Sequence, residues 1–407
     1  MENKRSNERD KELAQRLSRF FSPERIEALA RSTKFLERKT SRLTGQMFLE
    51  MNLFNLSGEK ENSLSDQSDY LEDTYGIEMR KQSLDERYNT YSVAFMKRCY
   101  ETLLSEVLRP YTVPLENNAV SVSGLFNGIE LVDATLFELP SSLSVFYKGG
   151  GNSNASVKLH HRYELMSGET SGIKIVSGNE NDACYLHDSA DVFTEGRLYM
   201  KDLGYLNLEH FGKIAEAKGY FLSRFKSILT CYVKNESGEH ESVNMADLVP
   251  AYGDHKEIPE IYIGHKKLKV RMCITPVPEE FIEERKKRVV GKNKKNGCDA
   301  LHENALMLCM YNIFITNVPA SLLIIGQIRQ LYALRWQIEL VFKVWKSVFD
   351  IDKVKRMNIF RFETHLYGRL MAILLSQKIQ NLYRDYLWEE EEVEISEFKC
   401  AVILKKN

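Results

Sequence analysis

The apolar residues of this chain change period near Leu125, from helical spacing to the alternation of strands, and no fold built from one kind of element can absorb that change. Before it, Ser22 followed by Pro23 predicts a helix start, with Ile26, Leu29 and Ala30 at helical spacing behind it. A second helical stretch is expected from Ser63, turning at Gly76 and restarting near Lys81 to run through Tyr88, Phe95 and Tyr100. After it, GIELVDATLFEL, ASVKLHHRYELM and GIKIVSG read as strands, followed by a short helix near Asp182–His187. RLYMKD reads as a strand, Leu208 to Ala217 as an amphipathic helix, and YFLSRF as another strand. That order is α/β, with the first strands close enough to form a meander. Between 228 and 315 the rhythm breaks into short β-type runs and a charged connector from Glu279 to Asn296, read as a mostly β insertion. Helix returns at Leu322, continues past Lys346, and resumes from Phe362 to about Tyr386.

Bulk properties narrow the function classes. At 407 residues the chain suits two or three domains. It has no apolar run long enough for a membrane helix, and its charged N-terminus lacks the apolar core of a secretory signal. The seven cysteines are scattered singly, which predicts reduced thiols and a cytoplasmic location. The formal net charge of -1 is low for a nucleic-acid enzyme. It averages a basic excess in residues 261–300, including Lys286, Lys287, Arg288, Lys292, Lys294 and Lys295, against an acidic tail. The basic run is either a solvated loop or a track for a DNA backbone. The helical pair about Gly76 is either a helix-turn-helix, presenting Arg80, Lys81, Gln82 and Arg87, or a plain packing module.

Three carboxylates stand out. Asp133 interrupts an apolar strand and Asp202 closes another, where a carboxylate is costly unless it is paired or ligates a cation. Each also fits a simple turn residue. On a continuous helix, at ~100° per residue, Tyr332, Arg335, Glu339 and Lys346 fall within an arc of about 60° on an otherwise apolar cylinder. A buried helix with one solvated stripe and an Arg–Glu pair explains that equally well. If the three acids meet, their hard oxygens suit two Mg²⁺ or Mn²⁺ ions that promote attack on a phosphodiester. Tyr332, Arg335 and Lys346 would then hold DNA phosphates. The Gly149–Gly151 run lacks the residues of a P-loop and reads as a hairpin loop, and His160 and His161 must face opposite ways.

The phrase LYALRWQIELVFKVWKS contains Tyr332, Arg335, Glu339 and Lys346 at the spacing Y-(2)-R-(3)-E-(6)-K. It resembles the signature of the insertion-sequence-four family of bacterial DDE transposases. LVDATLFELP is similar to that family's first-aspartate strand, and MKDLGYLNLEHFGKIAEAKGYFLSRFK to its second-aspartate block. Collinear similarity runs from about residue 20 to 380. Ala134 and Leu203 depart from the family pattern without removing a carboxylate. The resemblance implies a ribonuclease-H-like core interrupted by a β-rich insertion, and assigns Asp133, Asp202 and Glu339 as metal ligands. The segments expected are a helical DNA-binding part over 1–115, core over 116–227 and 316–386, insertion over 228–315, and an acidic tail over 387–407. It further implies cut-and-paste transposition, with terminal inverted repeats and target DNA as partners and a homodimer in the synaptic complex. A nuclease of the same fold without strand transfer, or a non-catalytic DNA-binding derivative, are the competing readings.

Overall fold

The structure, a computed structural model, describes residues 14–15, 17–37, 42–54, 63–107, 124–150, 152–182, 185, 193–295, 303–391 and 396–406. Local signals account for the N-terminal helices. The Ser22 hydroxyl accepts from the Arg25 N–H and Pro23 opens α1 (Pro23–Ser32), which buries Ile26 and Ala30. Helix α2 (Gly45–Phe54) buries Phe48, Leu49 and Met51. Ser63 and Asp66 form a reciprocal capping box on α3 (Leu64–Tyr75), and Gly76 ends it in the left-handed conformation at φ 65°. The restart at Lys81 is shorter than its sequence suggests. Helix α4 (Lys81–Asp85) has 5 residues, and the chain begins again at α5 (Thr90–Val107), where the Asn89 carboxamide accepts from the N–H groups of Tyr91 and Ser92.

Among the described residues, one ten-stranded sheet organises the remainder. Strands β1 (Ile129–Glu138), β2 (Ser156–Glu164) and β3 (Glu169–Ser177) form the expected antiparallel meander. Strand β4 (Leu198–Lys201) lies parallel to β1 on its other side, and β5 (Tyr220–Arg224) parallel to β4, with α6 (Leu208–Glu216) between them in the chain. The expected short helix near Asp182–His187 lies mostly outside the described residues. The next strands are β6 (Cys231–Lys234), β7 (His240–Val243), β8 (Lys256–Ile263), β9 (Leu268–Pro276) and β10 (Tyr311–Thr316). They extend the same sheet, because β10 pairs antiparallel with β5 through Phe314–Arg224, Ile315–Ser223 and Thr316–Leu222. Strand β7, with the polar sequence HESV, had no hydrophobic pattern to announce it, and sits at the sheet's end.

The charged connector is corrected to helix. After the one-turn α7 (Met245–Leu248), α8 spans Glu279–Lys295. Glu279 and Glu280 occupy its first turn, where the helix dipole favours acids, and Glu284 pairs with Arg288 one turn on. Charge density by itself reads as a loop signal, although Ile282 is buried. A short α9 (Glu303–Leu308) precedes β10. Beyond it come α10 (Ile325–Ala333), a 3₁₀ turn (Leu334–Trp336), α11 (Gln337–Ser347), the long α12 (Ile359–Glu391) and α13 (Glu397–Lys406). The segment read as an acidic tail is therefore helical on both sides of residues 392–395.

Alternation along the strands divides the core in two. Leu198, Met200, Leu222, Cys273 and Phe314 join a cluster with Ile338, Trp345 and Leu366, which continues into Phe95 and Leu103 of the N-terminal helices. Their strand neighbours Tyr199, Phe221, Met272, Ile274, Ile313 and Ile315 join Phe211 and Ile214 of α6 in a second cluster. Among the described residues, no helix is long and apolar enough to cross a membrane.

Candidate active site

Register brings the first two acids together. Val132 lies opposite Lys201 in the parallel β1–β4 pair, and Lys201 opposite Ser223 in β4–β5. The next residues along are Asp133, Asp202 and Arg224, on strands spaced about 4.8 Å apart. Asp202 has extended backbone angles and leads the 3₁₀ turn Leu203–Tyr205 without capping it through its side chain, so its carboxylate is not used up by the turn.

Glu339 reaches this place through an arginine. Arg335 Nη1 donates to Asp133 Oδ2 at 2.7 Å, and its Nη2 donates to Glu339 Oε1 at 3.0 Å. Both Asp133 and Arg335 are largely enclosed, at 19% and 15% side-chain exposure, so the bridge lies where charge interactions are weakly screened. Burial raises the Asp133 carboxyl to about 6, and the charges of Asp202 and Glu339 push the same way. The Ala134 N–H and Arg335 oppose them.

The helix carrying Glu339 is not continuous. The 3₁₀ turn at Leu334–Trp336 breaks the regular angular progression, and the single solvated stripe expected from the sequence is corrected accordingly. Tyr332, only 9% exposed, turns into the core: its ring centroid lies 5.3 Å from Phe314, and its hydroxyl donates to the Lys201 carbonyl at 3.4 Å. Burial raises its phenol to about 12. Arg335 sits 6.0 Å from the same ring. Lys346 donates to the Leu136 carbonyl at 3.1 Å, on the β1 backbone beyond Asp133.

Sequence reading missed the layer behind the aspartates. Tyr205 is buried with its hydroxyl 2.6 Å from His160 Nδ1, and His160 stacks on Tyr185 at 4.4 Å. Buried Lys201 places Nζ 2.9 Å from His210 Nδ1. His160 stands opposite Ala134 across β1–β2, so strand pairing was the signal that would have revealed it. His161 faces the other way, 2.9 Å from the Thr170 hydroxyl, which agrees with the expected separation of the two histidines.

The Transposase DDE domain family matches residues 126–375, a stretch that holds both aspartates and the glutamate helix. The chain belongs to the DDE transposase family. This transposase is 33% identical over 97% of its length to the transposase for insertion sequence element IS1151 of Clostridium perfringens, covering 86% of that protein. It is 30% identical over 96% of its length to the transposase for IS231F of Bacillus thuringiensis subsp. israelensis, covering 84% of it. In fold it is similar to the piggyBac transposase in its cryo-EM synaptic complex with hairpin DNA, with TM-score 0.50 and 11% identity. That likeness covers 97% of this chain and 79% of the other, and supports a mixed α/β fold with a large sheet.

The family implies a divalent metal. Among the described residues, no group of three or more His, Cys, Asp or Glu is arranged to hold an ion. The guanidinium of Arg335 occupies the space between Asp133 and Glu339 instead. The donor set still fits the group. Three hard carboxylates suit Mg²⁺ or Mn²⁺, and the repulsion that Asp202 and Glu339 exert on Asp133 marks a place where a cation lowers the energy.

Proposed function

We propose that this chain is a cut-and-paste transposase of the insertion-sequence-four type, acting on the terminal inverted repeats of its own element and on target DNA. Asp133, Asp202 and Glu339 would hold two Mg²⁺ or Mn²⁺ ions. Bound there, the ions would supply Lewis-acid stabilisation to the attacking and leaving oxygens of a phosphodiester. The observation that carries this reading is the Arg335 bridge from Asp133 to Glu339, set beside the end of the strand that delivers Asp202.

The protein groups have separate work. Arg335 has the fork geometry to hold a phosphate once it leaves its acid partners, and Lys346 adds a positive charge further along β1. Tyr332 completes the signature from beneath, holding the backbone at Lys201 and lying under the Arg335 guanidinium. The strand order β3-β2-β1-β4-β5 supports a ribonuclease-H-like core, with 228–315 as the insertion and the N-terminal helices as a DNA-binding part. Two ends cut together call for a homodimer in the synaptic complex, working on nucleoid DNA in the cytoplasm.

The test uses a plasmid carrying the sequences that flank this reading frame. Wild-type protein with Mg²⁺ is expected to cut at the element ends and to join pre-cleaved ends to a second plasmid. Glu339→Ala is expected to bind the ends and cut neither strand. Cutting at the wild-type rate by Glu339→Ala would remove that residue from the site, and cutting without joining would make the protein a nuclease.

A further inference from the structure

Strand β5 ends at Arg224, in line with Asp202 and Asp133 and one strand further along the sheet. Across from Arg224 is Phe314 of β10, and Asn312, two residues back on that strand, faces the same side. The Asn312 carboxamide oxygen accepts from Arg285 Nη2 at 2.8 Å, and the Tyr311 carbonyl from Arg285 Nη1 at 3.5 Å. Helix α8 thus hangs an arginine beside the end of β5. Exposed Arg329 lies one turn before Tyr332 on α10, and the Tyr332 ring packs on Phe314, the residue across from Arg224. Burial lowers the pKa of Arg285, and the charges of Arg224, Arg329 and Arg288 lower it further. Arg288 is paired with Glu284, but among the described residues neither Arg224 nor Arg329 has a carboxylate within ion-pair distance.

Like charges gathered without an acid between them disfavour the fold unless an anion completes them. We propose that Arg224, Arg285 and Arg329 form a second phosphate site, which grips the DNA backbone where the strand passes from the carboxylates toward β10. The proposal rests on the transposase reading and adds to it a site outside the Y-(2)-R-(3)-E-(6)-K residues. It also gives the inserted segment a task, since α8 and β10 together aim Arg285. Guanidinium forks suit phosphate oxygens, and Arg224 stands opposite Phe314, whose ring lies 5.3 Å from that of Tyr332, so the site adjoins the signature residues.

The experiment measures binding of the full chain to a fluorescein-labelled DNA duplex of arbitrary sequence, without metal, over a series of KCl concentrations. Each phosphate contact contributes about 0.9 to the slope of log affinity against log salt. The double variant Arg224→Gln/Arg329→Gln is expected to reduce that slope by about two, whereas Arg224→Lys/Arg329→Lys retains most of it. Lys213→Gln/Lys218→Gln removes the same charge near the opposite end of β5 and is expected to leave the slope unchanged. A slope for the glutamine pair equal to wild type, or reduced no more than in the lysine control, overturns the proposal. Should the pair fail to fold by circular dichroism, Arg329→Gln alone must lower the slope by about one, or the site is refuted. Wild-type protein that binds and cuts while the variants keep its slope removes only this site. Wild-type protein that binds no DNA removes the transposase reading with it.

Discussion

Asp133 carries a charge that the folded chain disfavours. Its carboxyl moves from an ordinary 3.8 to about 6, so the native state binds its proton more tightly than the unfolded state does. Stability from this group is therefore present at low pH and is lost as pH rises through that interval. Asn has no proton to lose. Asp133→Asn is expected to stabilise the metal-free protein by about 2–3 kcal/mol well above pH 6, and to have little effect near pH 4. Urea denaturation at the two pH values checks this. Equal stability of the two proteins above pH 6 would show that Arg335 and the Ala134 N–H offset the cost of burial and repulsion completely. The stability lost here is the counterpart of function, because burial and, to a lesser degree, the neighbouring acids disfavour the Asp133 charge, and a bound cation relieves both.

Helix ends were legible in the sequence wherever their signals are local. Ser22–Pro23, Ser63 with Asp66, and Gly76 satisfy or terminate backbone groups within a few residues of themselves, so neighbouring identity suffices. Ser63→Ala should cost about 1 kcal/mol of unfolding free energy, read as a lower urea midpoint at unchanged slope, since one capping acceptor disappears. The break at Leu334–Trp336 had no such signal. No proline or glycine lies between Leu331 and Ser347; the turn reconciles a Tyr332 driven into the core with an Arg335 that must meet Asp133. Helix α8 is hidden in the sequence for a related reason. Its residues are those of a solvated loop by composition, and only spacing such as Glu284–Arg288 makes them a helix.

At the scale of the whole molecule, the sheet joins what sequence texture separates. Residues 228–315 differ in rhythm from their surroundings, yet β10 lies against β5, and the two apolar clusters occupy opposite faces of the shared strands. Ile315 is fully buried on β10 between β5 and β9. Ile315→Ala is expected to cost about 2–5 kcal/mol and to lower the melting of β8–β10 and of α6 in one transition. Calorimetry that resolved two separated transitions in the variant would show that β8–β10 melt on their own.

The residues themselves determined which side chains were available: two aspartates at strand positions and a glutamate four residues after an arginine. These are properties of near neighbours, and period and spacing record them. Only tertiary structure decided that Asp133, Asp202 and Arg224 fall in one row, and that Arg335 spans two acids instead of one. Strand register follows from burying both faces of a sheet at once. That requirement is met by residues far apart in the chain, so no local stretch could have disclosed it.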